Sequence, residues 1–397
     1  MTDPFWALLL WRLALSGKLA RMRVVIAPDS FGGTLSAVEA AEAISAGWRA
    51  AERGVEIDLA PVSDGGPGFV DVLHTSLGGD LRSLPVTGPL GDRVTAQYLL
   101  DGDTAYVESA QACGLQLVPA DRRDPKRTTT YGVGQLVRDA LDGGARQIVV
   151  GLGGSSTNDG GAGMLAALGL AFLDRAGVVR RPTGADLTGL ERADATALDP
   201  RLRQIDLVAA SDVDNPLLGP AGATATYGPQ KGATPADVQS LDRALAHYAE
   251  LLGRALPAAS GLVEAPGAGA AGGLGYAVLV LGARRESGIG LVLRHTRLAE
   301  RIEPASVVVT GEGSYDWQSL RGKAVSGVAA AAAAAGVPCL VLAGQVSVGR
   351  REMAAAGVAA AYSLAESAGS VQAAQSRAAE ELRTLAERVA RDWSGRG

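Results

Sequence analysis

Hydrophobic residues of this chain fall into short β-branched runs that alternate with longer runs of helical periodicity. The first run, RVVIA at 23–27, predicts a strand. Ser36 and Glu39 have the spacing of a capping box, and they predict a helix that continues to about Arg53. The run VEIDLAP at 55–61 predicts a second strand. Strands that alternate with helices in this way are typical of βαβ units with a mainly parallel sheet.

A second βαβ unit is predicted far downstream. The runs SVVVTG at 306–311 and CLVLAG at 339–344 predict two strands. The alanines at 329–335 predict a helix between them, with Gly336 and Pro338 as its stop signals. The two βαβ units therefore look like two parts of one interrupted sheet.

The segment between these units has a different sequence pattern, with a β-rich run at 86–100 and a glycine-rich run at 267–275. We therefore predict an α/β fold with two domains, which also fits the length of the chain. Residues 22–64 and 292–397 are predicted to form a discontinuous, Rossmann-like parallel α/β domain. Residues 65–291 are predicted to form a second, inserted α/β domain, with a cleft between the two.

The first residues of the chain carry an apolar stretch that is similar to the core of a signal peptide. Asp3 and Arg12 argue against a signal peptide, and the stretch is too short to span a bilayer. We expect residues 1–21 to be an N-terminal extension outside the fold, and the natural chain to start at Met22.

The composition is that of an α/β protein, with 53 glycines and 20% charged residues. The net charge of −5, without a stripe of Lys and Arg, predicts a small-molecule ligand, no nucleic-acid partner and no membrane partner. Cys113 and Cys339 form no C-x-x-C pair, which predicts a cytoplasmic protein with reduced thiols. Three histidines without ligand spacing, at positions 74, 247 and 295, predict no zinc site.

Acidic and hydroxyl residues follow three of the predicted strands. They are Asp29 and Ser30 after the first strand, Ser63, Asp64, Gly65 and Gly66 after the second, and Gly311, Glu312, Ser314 and Asp316 after the third. Carboxyl ends of parallel strands share one edge of a sheet, where ligands bind. Each group alone is also typical of an Asx turn or a helix cap. Three acidic loops on one edge favour a ligand site.

A glycine-rich loop lies in the stretch RQIVVGLGGSSTNDGGAGMLAALGLAFLD, which predicts strand, loop, helix and strand. Successive N–H groups of such a loop can form a nest around an anion. Gly151, Gly153 and Ser156 nearly match the dinucleotide fingerprint, so a dinucleotide-dependent oxidoreductase is an alternative function. Asp174 lies where a ribose-binding acid is expected. Against this alternative, the third glycine is missing and Asp159 places a negative charge where a pyrophosphate would lie.

Two further loops combine acids with lysines. Asp212, Asp214 and Asn215 follow the predicted strand IDLVAAS, Gln230 and Lys231 lie in a glycine-flanked turn, and Lys323 lies in a second such turn. Carboxylates hold magnesium through water, and lysines bind phosphate. The combination indicates phosphoryl transfer.

Seven motifs resemble, in the same order, those of the bacterial type I glycerate kinases between Arg23 and about Glu366. They are APDSF, SDGGPG, VTGPLG, GLGGSSTNDGGAGML, DVDNPLLGPAGATATYGPQKGATP, GAGAAGGLG and TGEGSYDWQSLRGK. The resemblance implies a kinase with two α/β domains that uses ATP and Mg²⁺ to phosphorylate D-glycerate. It also implies 2-phosphoglycerate as the favoured product.

The chain departs from the family pattern at three positions. Gly32 stands where the family usually has lysine, and Pro67 and Phe69 replace a glutamate and a threonine. The lost cation and the lost acid indicate a compensated charge pair, a changed substrate or a weakened enzyme, and tolerated variation at the surface is the remaining alternative. A non-catalytic relative that binds metabolites is therefore a further alternative.

A glycerate kinase aligns a hydroxyl with the γ-phosphate of ATP and removes the hydroxyl proton. From the resemblance we predict Asp64, Asp316 and Lys323 as catalytic residues, with Asp64 preferred as the proton acceptor. Asp212 is the predicted acid at the magnesium ion. The residues predicted to bind substrate or phosphate are Asp29, Ser30, Gly65, Gly66, Gly154, Ser155, Asn158, Asp159, Asn215, Gln230, Lys231, Glu312 and Arg321, the last by gripping the glycerate carboxylate.

Overall fold

The computed structural model describes residues 22–317, 319–320 and 323–395. Its strands are, in chain order, β1 (Arg23–Ile26), β2 (Glu56–Leu59), β3 (Asp80–Thr87), β4 (Arg93–Asp101), β5 (Thr104–Glu108), β6 (Gln147–Gly151), β7 (Ala171–Asp174), β8 (Gly177–Val178), β9 (Arg192–Asp194), β10 (Asp206–Ala210), β11 (Arg284–Glu286), β12 (Val307–Tyr315), β13 (Cys339–Val346) and β14 (Val358–Ser363). Its α-helices are α1 (Ala37–Ala51), α2 (Phe69–Leu77), α3 (Ala110–Cys113), α4 (Tyr131–Asp142), α5 (Ala162–Ala167), α6 (Ala223–Tyr227), α7 (Pro235–Ala255), α8 (Ala270–Val280), α9 (Gly288–His295), α10 (Leu298–Ile302), α11 (Ala324–Ala334), α12 (Arg350–Ala355), α13 (Leu364–Ala368), α14 (Val371–Ser376) and α15 (Ala378–Ser394).

The described chain forms two compact units. Unit 1 combines the described residues up to Val62 with those from Arg297 onward, and unit 2 runs from Ser63 to Thr296. Both units contain parallel strands and helices, which confirms the predicted α/β class. The domain boundaries that we derived from the sequence, after residues 64 and 291, stay a prediction.

Unit 1 is built on a parallel sheet with the strand order β14-β13-β12-β1-β2. Val24 on β1 pairs with Ile57 on β2 and with Val307 on β12. The chain therefore places β2 on one side of β1 and later adds β12 on the other side. Open α/β sheets bind ligands at the carboxyl ends of the strands where the strand order reverses. In unit 1 this position lies between β1 and β12.

The four strands predicted for this unit, at 23–27, 55–61, 306–311 and 339–344, are confirmed as β1, β2, β12 and β13. Strand β12 is longer than predicted, because it continues to Tyr315. Its last residues stay paired with the end of β13. Backbone pairing thus extends β12 through residues whose sequence is typical of a loop.

Helix α1 begins at the predicted capping box. The Glu39 carboxylate accepts a hydrogen bond of 2.8 Å from the Ser36 N–H, and the Ser36 hydroxyl accepts one of 3.2 Å from the Glu39 N–H. Ile44 and Trp48 on α1 share a hydrophobic core with Leu385 on α15, and all three are fully buried. The core of unit 1 therefore joins segments from the two ends of the chain.

An ion-pair cluster also joins the two segments of unit 1. Asp58 on β2 accepts hydrogen bonds from Arg301 on α10 and from Arg23 on β1. Burial alone would raise the pKa of Asp58, but the hydrogen bonds and charges of Arg301 and Arg23 outweigh burial and lower it. The carboxylate is therefore stabilised in its charged form.

Unit 2 contains a sheet with the strand order β11-β10-β6-β5-β4-β3. Strands β5, β6, β10 and β11 are parallel, whereas β3 and β4 are antiparallel. Strands β8, β7 and β9 form a separate small sheet. The predicted order of strand, glycine-rich loop, helix and strand is confirmed as β6, α5 and β7. Leu136 on α4, Leu165 on α5 and Leu252 on α7 are fully buried in the core of this unit.

None of the helices in the described ranges combines the length and the hydrophobicity needed to cross a membrane. The longest of them, α7, buries Leu241 and Leu245 on one face and exposes Arg243 and Glu250 on the other. The predicted N-terminal extension, residues 1–21, lies outside the described residues.

Candidate functional site

In unit 2, the loop 63–68 lies against the carboxyl ends of β6 and β10. Gly65 has a φ of +95°, and a Cβ atom there would lie 2.9 Å from the carbonyl oxygen of Ala210, the last residue of β10. A Cβ atom on Gly151, the last residue of β6, would lie 2.7 Å from the Gly65 carbonyl oxygen. Only glycine permits these approaches. They hold the loop that carries Asp64 tightly at the strand ends.

Asp64 and Asp212 bring two carboxylates to this edge of the sheet. Asp64 is half-buried, and its Oδ1 accepts a hydrogen bond of 3.2 Å from the Gly66 N–H. Asp212 accepts hydrogen bonds from the Ser287 hydroxyl at 2.6 Å and from the Ile289 N–H at 2.9 Å. Burial raises the pKa of Asp212, and the negative charge of Asp64 adds to this rise. The pair therefore concentrates negative charge where a divalent cation would be attracted.

The glycine-rich loop after β6 presents a row of backbone donors. The N–H groups of Gly153, Gly154 and Ser155 donate to no group of the residues that the structure describes. Gly154 has a φ of +66°, a left-handed conformation of the kind that forms anion-binding nests. A Cβ atom on Gly153 would lie 2.4 Å from the Gly66 Cα atom, so this loop touches the loop that carries Asp64. In unit 2, backbone donors that can bind an anion therefore lie beside the loop that carries the acidic side chain of Asp64.

Lys231 is buried, unlike a lysine in a solvated glycine turn. Only 2% of the residue is exposed. Its Nζ donates to Ser155 Oγ at 2.8 Å and to the Thr157 carbonyl oxygen at 2.7 Å. Burial lowers the pKa of Lys231 to about 8, although the nearby Cys113 and Asp159 raise it. The ammonium contacts protein groups, and the contact of Lys231 with phosphate stays a prediction.

Asp159 and Asn158 lie in the interior of unit 2, and both are fully buried. The Asp159 carboxylate accepts four hydrogen bonds, two from Thr130 and two from N–H groups at the start of α5. Asn158 donates to the Thr224 hydroxyl at 2.9 Å. Burial raises the pKa of Asp159, although these hydrogen bonds lower it. These contacts hold both residues in place within the loop, and substrate binding by either residue stays a prediction.

Asn215 and Gln230 have different environments. Asn215 Nδ2 donates to the Ala221 carbonyl oxygen at 2.6 Å, and its Oδ1 accepts a hydrogen bond of 2.7 Å from the Tyr227 hydroxyl. Asn215 therefore fixes the loop that follows β10. Gln230 is exposed in the short 3₁₀ turn Pro229–Lys231. Substrate binding by either residue stays a prediction.

Glu108, the last residue of β5, is a buried carboxylate that is not among the site residues predicted from the sequence. It accepts hydrogen bonds from the Gly68 N–H at 3.1 Å and the Val70 N–H at 3.3 Å, at the start of α2. Burial raises its pKa to about 7, although these hydrogen bonds lower it. Because Gly68 ends the loop that carries Asp64, Glu108 anchors that loop. In the sequence, the indication of this role is an acidic residue that directly follows the strand-forming run TAYV.

In unit 1, Asp29 and Ser30 follow β1 at the reversal of strand order. The Asp29 N–H donates to the carbonyl oxygen of Gly311 on β12 at 2.8 Å, and Asp29 Oδ1 accepts a hydrogen bond of 2.6 Å from the Ser30 N–H. Glu312 is the next residue of β12, so it lies at the same edge of the sheet. Gly32, at the position of the family lysine, has a φ of +52° and open space around its Cβ position.

Asp316 and Lys323 lie after the end of β12. The Asp316 N–H donates to Ser319 Oγ at 3.1 Å, and the Ser319 N–H donates back to the Asp316 carbonyl oxygen at 3.1 Å. Lys323 is the N-cap residue of α11. Arg321, the predicted partner of the glycerate carboxylate, lies outside the described residues.

Across the described ranges, no group of three or more His, Cys, Asp or Glu side chains is arranged to hold a metal ion. Magnesium bound together with a nucleotide needs only one or two protein carboxylates, because phosphate and water complete its coordination. Asp212 fits this requirement, since its carboxylate is hydrogen-bonded and only partly buried.

Comparison with known proteins decides the family. The sequence model of the glycerate kinase family matches residues 24–394. The chain belongs to the glycerate kinase family. This confirms the resemblance inferred from the motifs, and it favours a kinase over the dinucleotide-dependent alternative for the glycine-rich loop.

Relatives within the glycerate kinase family match the chain over most of its length. The glycerate kinase of Bacillus subtilis is 44% identical over 374 residues, which cover 94% of this chain and 96% of that protein. The glycerate 2-kinase of Escherichia coli is 45% identical over 329 residues, 82% of this chain and 86% of that protein. A crystal structure of a candidate glycerate kinase 2 from Salmonella typhimurium has a TM-score of 0.75 and 39% identity, and it covers 94% of this chain and 99% of that one.

Proposed function

We propose that this chain is an ATP-dependent kinase that phosphorylates D-glycerate. The observation that carries the proposal is the family match, which extends over residues 24–394. The strand ends of unit 2 support it, because acidic side chains lie there beside backbone donors that have no partner among the described residues. Phosphoryl transfer depends on such positioned charges and donors. The proposed product is 2-phosphoglycerate, in keeping with the name of the Escherichia coli relative.

In the proposed reaction a glycerate hydroxyl oxygen bonds to the γ-phosphorus of ATP, the bond to the ADP oxygen breaks, and the hydroxyl proton moves to a base. Asp64 is the proposed base, because its half-buried carboxylate is held by a tightly packed loop. Asp316 is the second candidate, and Lys323 is proposed to bind the transferred phosphoryl group.

Magnesium, when bound with ATP, would be held by Asp212. It would neutralise charge that develops on the phosphate oxygens. A cation bound there would oppose burial and the charge of Asp64, which both raise the pKa of Asp212.

Several of the other predicted residues are proposed to shape the site or to bind the substrates. Gly65, Gly66 and Gly154 let the loops of unit 2 approach one another, while the N–H groups around Ser155 offer donors to an anion. Asp29, Ser30, Glu312 and Arg321 are also proposed to bind substrate or phosphate.

We propose a cytoplasmic enzyme with small-molecule partners and neither nucleic-acid nor membrane partners. The free thiols of Cys113 and Cys339 are both buried, which suits a reducing compartment. The net charge of −5 is opposite to that of a nucleic-acid-binding surface.

A coupled assay of ADP release tests the function. Purified protein with ATP, Mg²⁺ and D-glycerate should release ADP far faster than without glycerate, and NMR of the product should show 2-phosphoglycerate. Asp64→Asn should lower kcat by at least about a hundredfold through loss of the base. Asp103→Asn, at an exposed position in the turn after β4, is the control that should leave kcat unchanged.

Two results would contradict the proposal. The first is the absence of glycerate-dependent ADP release under conditions in which the Bacillus subtilis relative is active. The second is saturable binding of ATP and glycerate without turnover, which would support the non-catalytic alternative instead.

A further inference from the structure

We infer that Lys231 contributes to anion binding through the hydroxyl of Ser155, at a site that also includes the N–H groups of Gly153 and Gly154. The anionic oxygen accepts hydrogen bonds from the Ser155 hydroxyl and the loop N–H groups, and the buried ammonium supplies the positive charge. The inference deepens the proposed kinase function and rests on it. Lys231 is thereby a positioning residue that acts through Ser155.

The first observation is the environment of the Lys231 ammonium. It donates to Ser155 Oγ at 2.8 Å and to the Thr157 carbonyl oxygen at 2.7 Å. No carboxylate of the described residues forms an ion pair with it, and the Asp159 carboxylate already accepts four other hydrogen bonds. A buried charge without an ion-pair partner is unfavourable. Asp159 offsets the charge of Lys231 only from a distance, without an ion pair, and an anion bound at Ser155 would add a negative charge close to the ammonium.

The second observation is the direction of the Ser155 hydroxyl proton. An ammonium only donates hydrogen bonds, so Ser155 Oγ is the acceptor in its contact with Lys231. The hydroxyl hydrogen of Ser155 must then point elsewhere, and no acceptor for it lies among the described residues. A hydroxyl that accepts from a cation is polarised and becomes a stronger donor. The charge of Lys231 therefore strengthens the hydrogen bond that the Ser155 hydroxyl donates to a bound anion.

The third observation is independent of the lysine. The N–H groups of Gly153, Gly154 and Ser155 have no partner among the described residues, and Gly154 has a φ of +66°. Consecutive free amides in such a turn bind anions. The shared ligand chemistry is an anionic oxygen, which a nucleotide supplies as phosphate and glycerate supplies as carboxylate.

Kinetics of serine variants test the inference. Ser155→Ala removes the hydroxyl, whereas Ser155→Thr keeps it. Ser156→Ala is the matched control, because Ser156 is also buried but its Oγ donates to the Cys113 carbonyl oxygen at 2.9 Å. Ser155→Ala should raise the KM for either ATP or glycerate by about ten- to a hundredfold. Ser155→Thr should bring this KM most of the way back to the native value, and Ser156→Ala should leave it unchanged. A rise in the KM for ATP identifies phosphate as the ligand, and a rise in the KM for glycerate identifies the carboxylate.

Direct binding tests the site without turnover. Sulfate and D-glycerate are suitable probes for calorimetry, because the charge of neither changes between about pH 7 and 9. The native protein should bind at least one of them at least tenfold more tightly than Ser155→Ala. Its affinity should fall as the pH rises through about 8, where Lys231 loses its proton. Among the described residues, the titratable groups that act on Lys231 are Cys113, whose burial raises its pKa to about 12, and Asp159.

The outcomes separate the two proposals. Binding that depends on Ser155 in a protein without kinase turnover supports the anion site and contradicts the proposed function. Equal kinetics and binding for the native protein and Ser155→Ala overturn the inference. Equal losses in Ser155→Ala and Ser156→Ala also overturn it, because they indicate a structural role only. If the native protein binds neither sulfate nor glycerate, the proposed anion site does not exist.

Discussion

Gly154 is constrained by both its backbone conformation and the space around it. Its φ is +66°, and a Cβ atom there would lie 2.7 Å from the ring of Pro67. Gly154→Ala therefore combines backbone strain with overpacking, for a destabilisation of about 2–4 kcal/mol. We expect a lower Tm and at least a tenfold lower kcat/KM for glycerate, because the loop has to shift. Thermal unfolding and steady-state kinetics measure both effects.

Gly144→Ala provides the matched control for this change. Gly144 has a φ of +86°, but its Cβ position is in open space. Its substitution should therefore lower stability through strain alone, by about 1–2 kcal/mol, and leave kcat/KM unchanged. Adding Pro67→Gly to Gly154→Ala should recover part of the lost stability. Equal losses in the two alanine variants would show that the contact with Pro67 is unimportant.

Glu108 should make the stability of the protein depend on pH. Burial raises its pKa to about 7 in the folded protein, from a usual value of 4.5. Between these pH values the folded state keeps a proton on Glu108 that the unfolded state releases. The stabilisation that this proton gives to the folded state is therefore complete below the lower pKa, and it is lost as the pH rises through the higher pKa. Glu108→Gln should remove up to about 3 kcal/mol of the difference in unfolding free energy between about pH 5 and 8.

Urea unfolding at the two pH values measures this difference. Glu250→Gln, at an exposed position on α7, is the control and should keep the pH dependence of the native protein. If Glu108→Gln keeps it too, the carboxylate of Glu108 does not titrate in this range.

At the scale of elements, helices α1 and α15 approach each other closely at Gly47. A Cβ atom on Gly47 would lie 2.3 Å from the Arg383 carbonyl oxygen and 2.8 Å from the Ala386 Cβ atom. Alanine usually stabilises a helix interior relative to glycine by about 1 kcal/mol. Here we expect the opposite sign, with Gly47→Ala destabilising by about 1–3 kcal/mol, because the helices must move apart. Denaturant unfolding measures the change.

Gly54 is the natural comparison for Gly47, because it lies just beyond α1 and its Cβ position is in open space. Gly54→Ala should change the unfolding free energy by less than about 1 kcal/mol. A stabilising effect of Gly47→Ala would show that α1 and α15 leave room for a methyl group at this position.

At the scale of the whole molecule, each unit has its own hydrophobic core. Leu385 belongs to the core of unit 1 and Leu165 to that of unit 2, and both are fully buried. Leu385→Ala and Leu165→Ala should each destabilise by about 2–5 kcal/mol through loss of packing. We expect each change to accelerate hydrogen exchange mainly in its own unit, because local unfolding follows contiguous cooperative regions.

Hydrogen exchange measured by mass spectrometry checks this expectation. Peptides from β1 and β13 report on unit 1, and peptides from β5 and β6 report on unit 2. The two leucine variants serve as controls for each other. Equal acceleration in both units by either variant would show that the protein unfolds as one cooperative body.

Much of the fold was readable from local sequence. The β-branched runs predicted β1, β2, β12 and β13, and the Ser36–Glu39 pair predicted the start of α1, because these signals depend on near neighbours in the chain. Strand β12 ran past its predicted end because pairing with β13, a non-local contact, extended it to Tyr315.

The sequence by itself determined the α/β class, the family and which residue types were available for chemistry, because periodicity and motif order are properties of the linear chain. Only the tertiary structure decided which polar side chains are buried. Lys231 is separated from Ser155 by 76 positions, and Glu108 from Gly68 by 40. Burial, and the pKa shifts that follow from it, arise when such distant segments pack together and exclude water. For that reason a lysine in a glycine-flanked turn proved to be an interior cation.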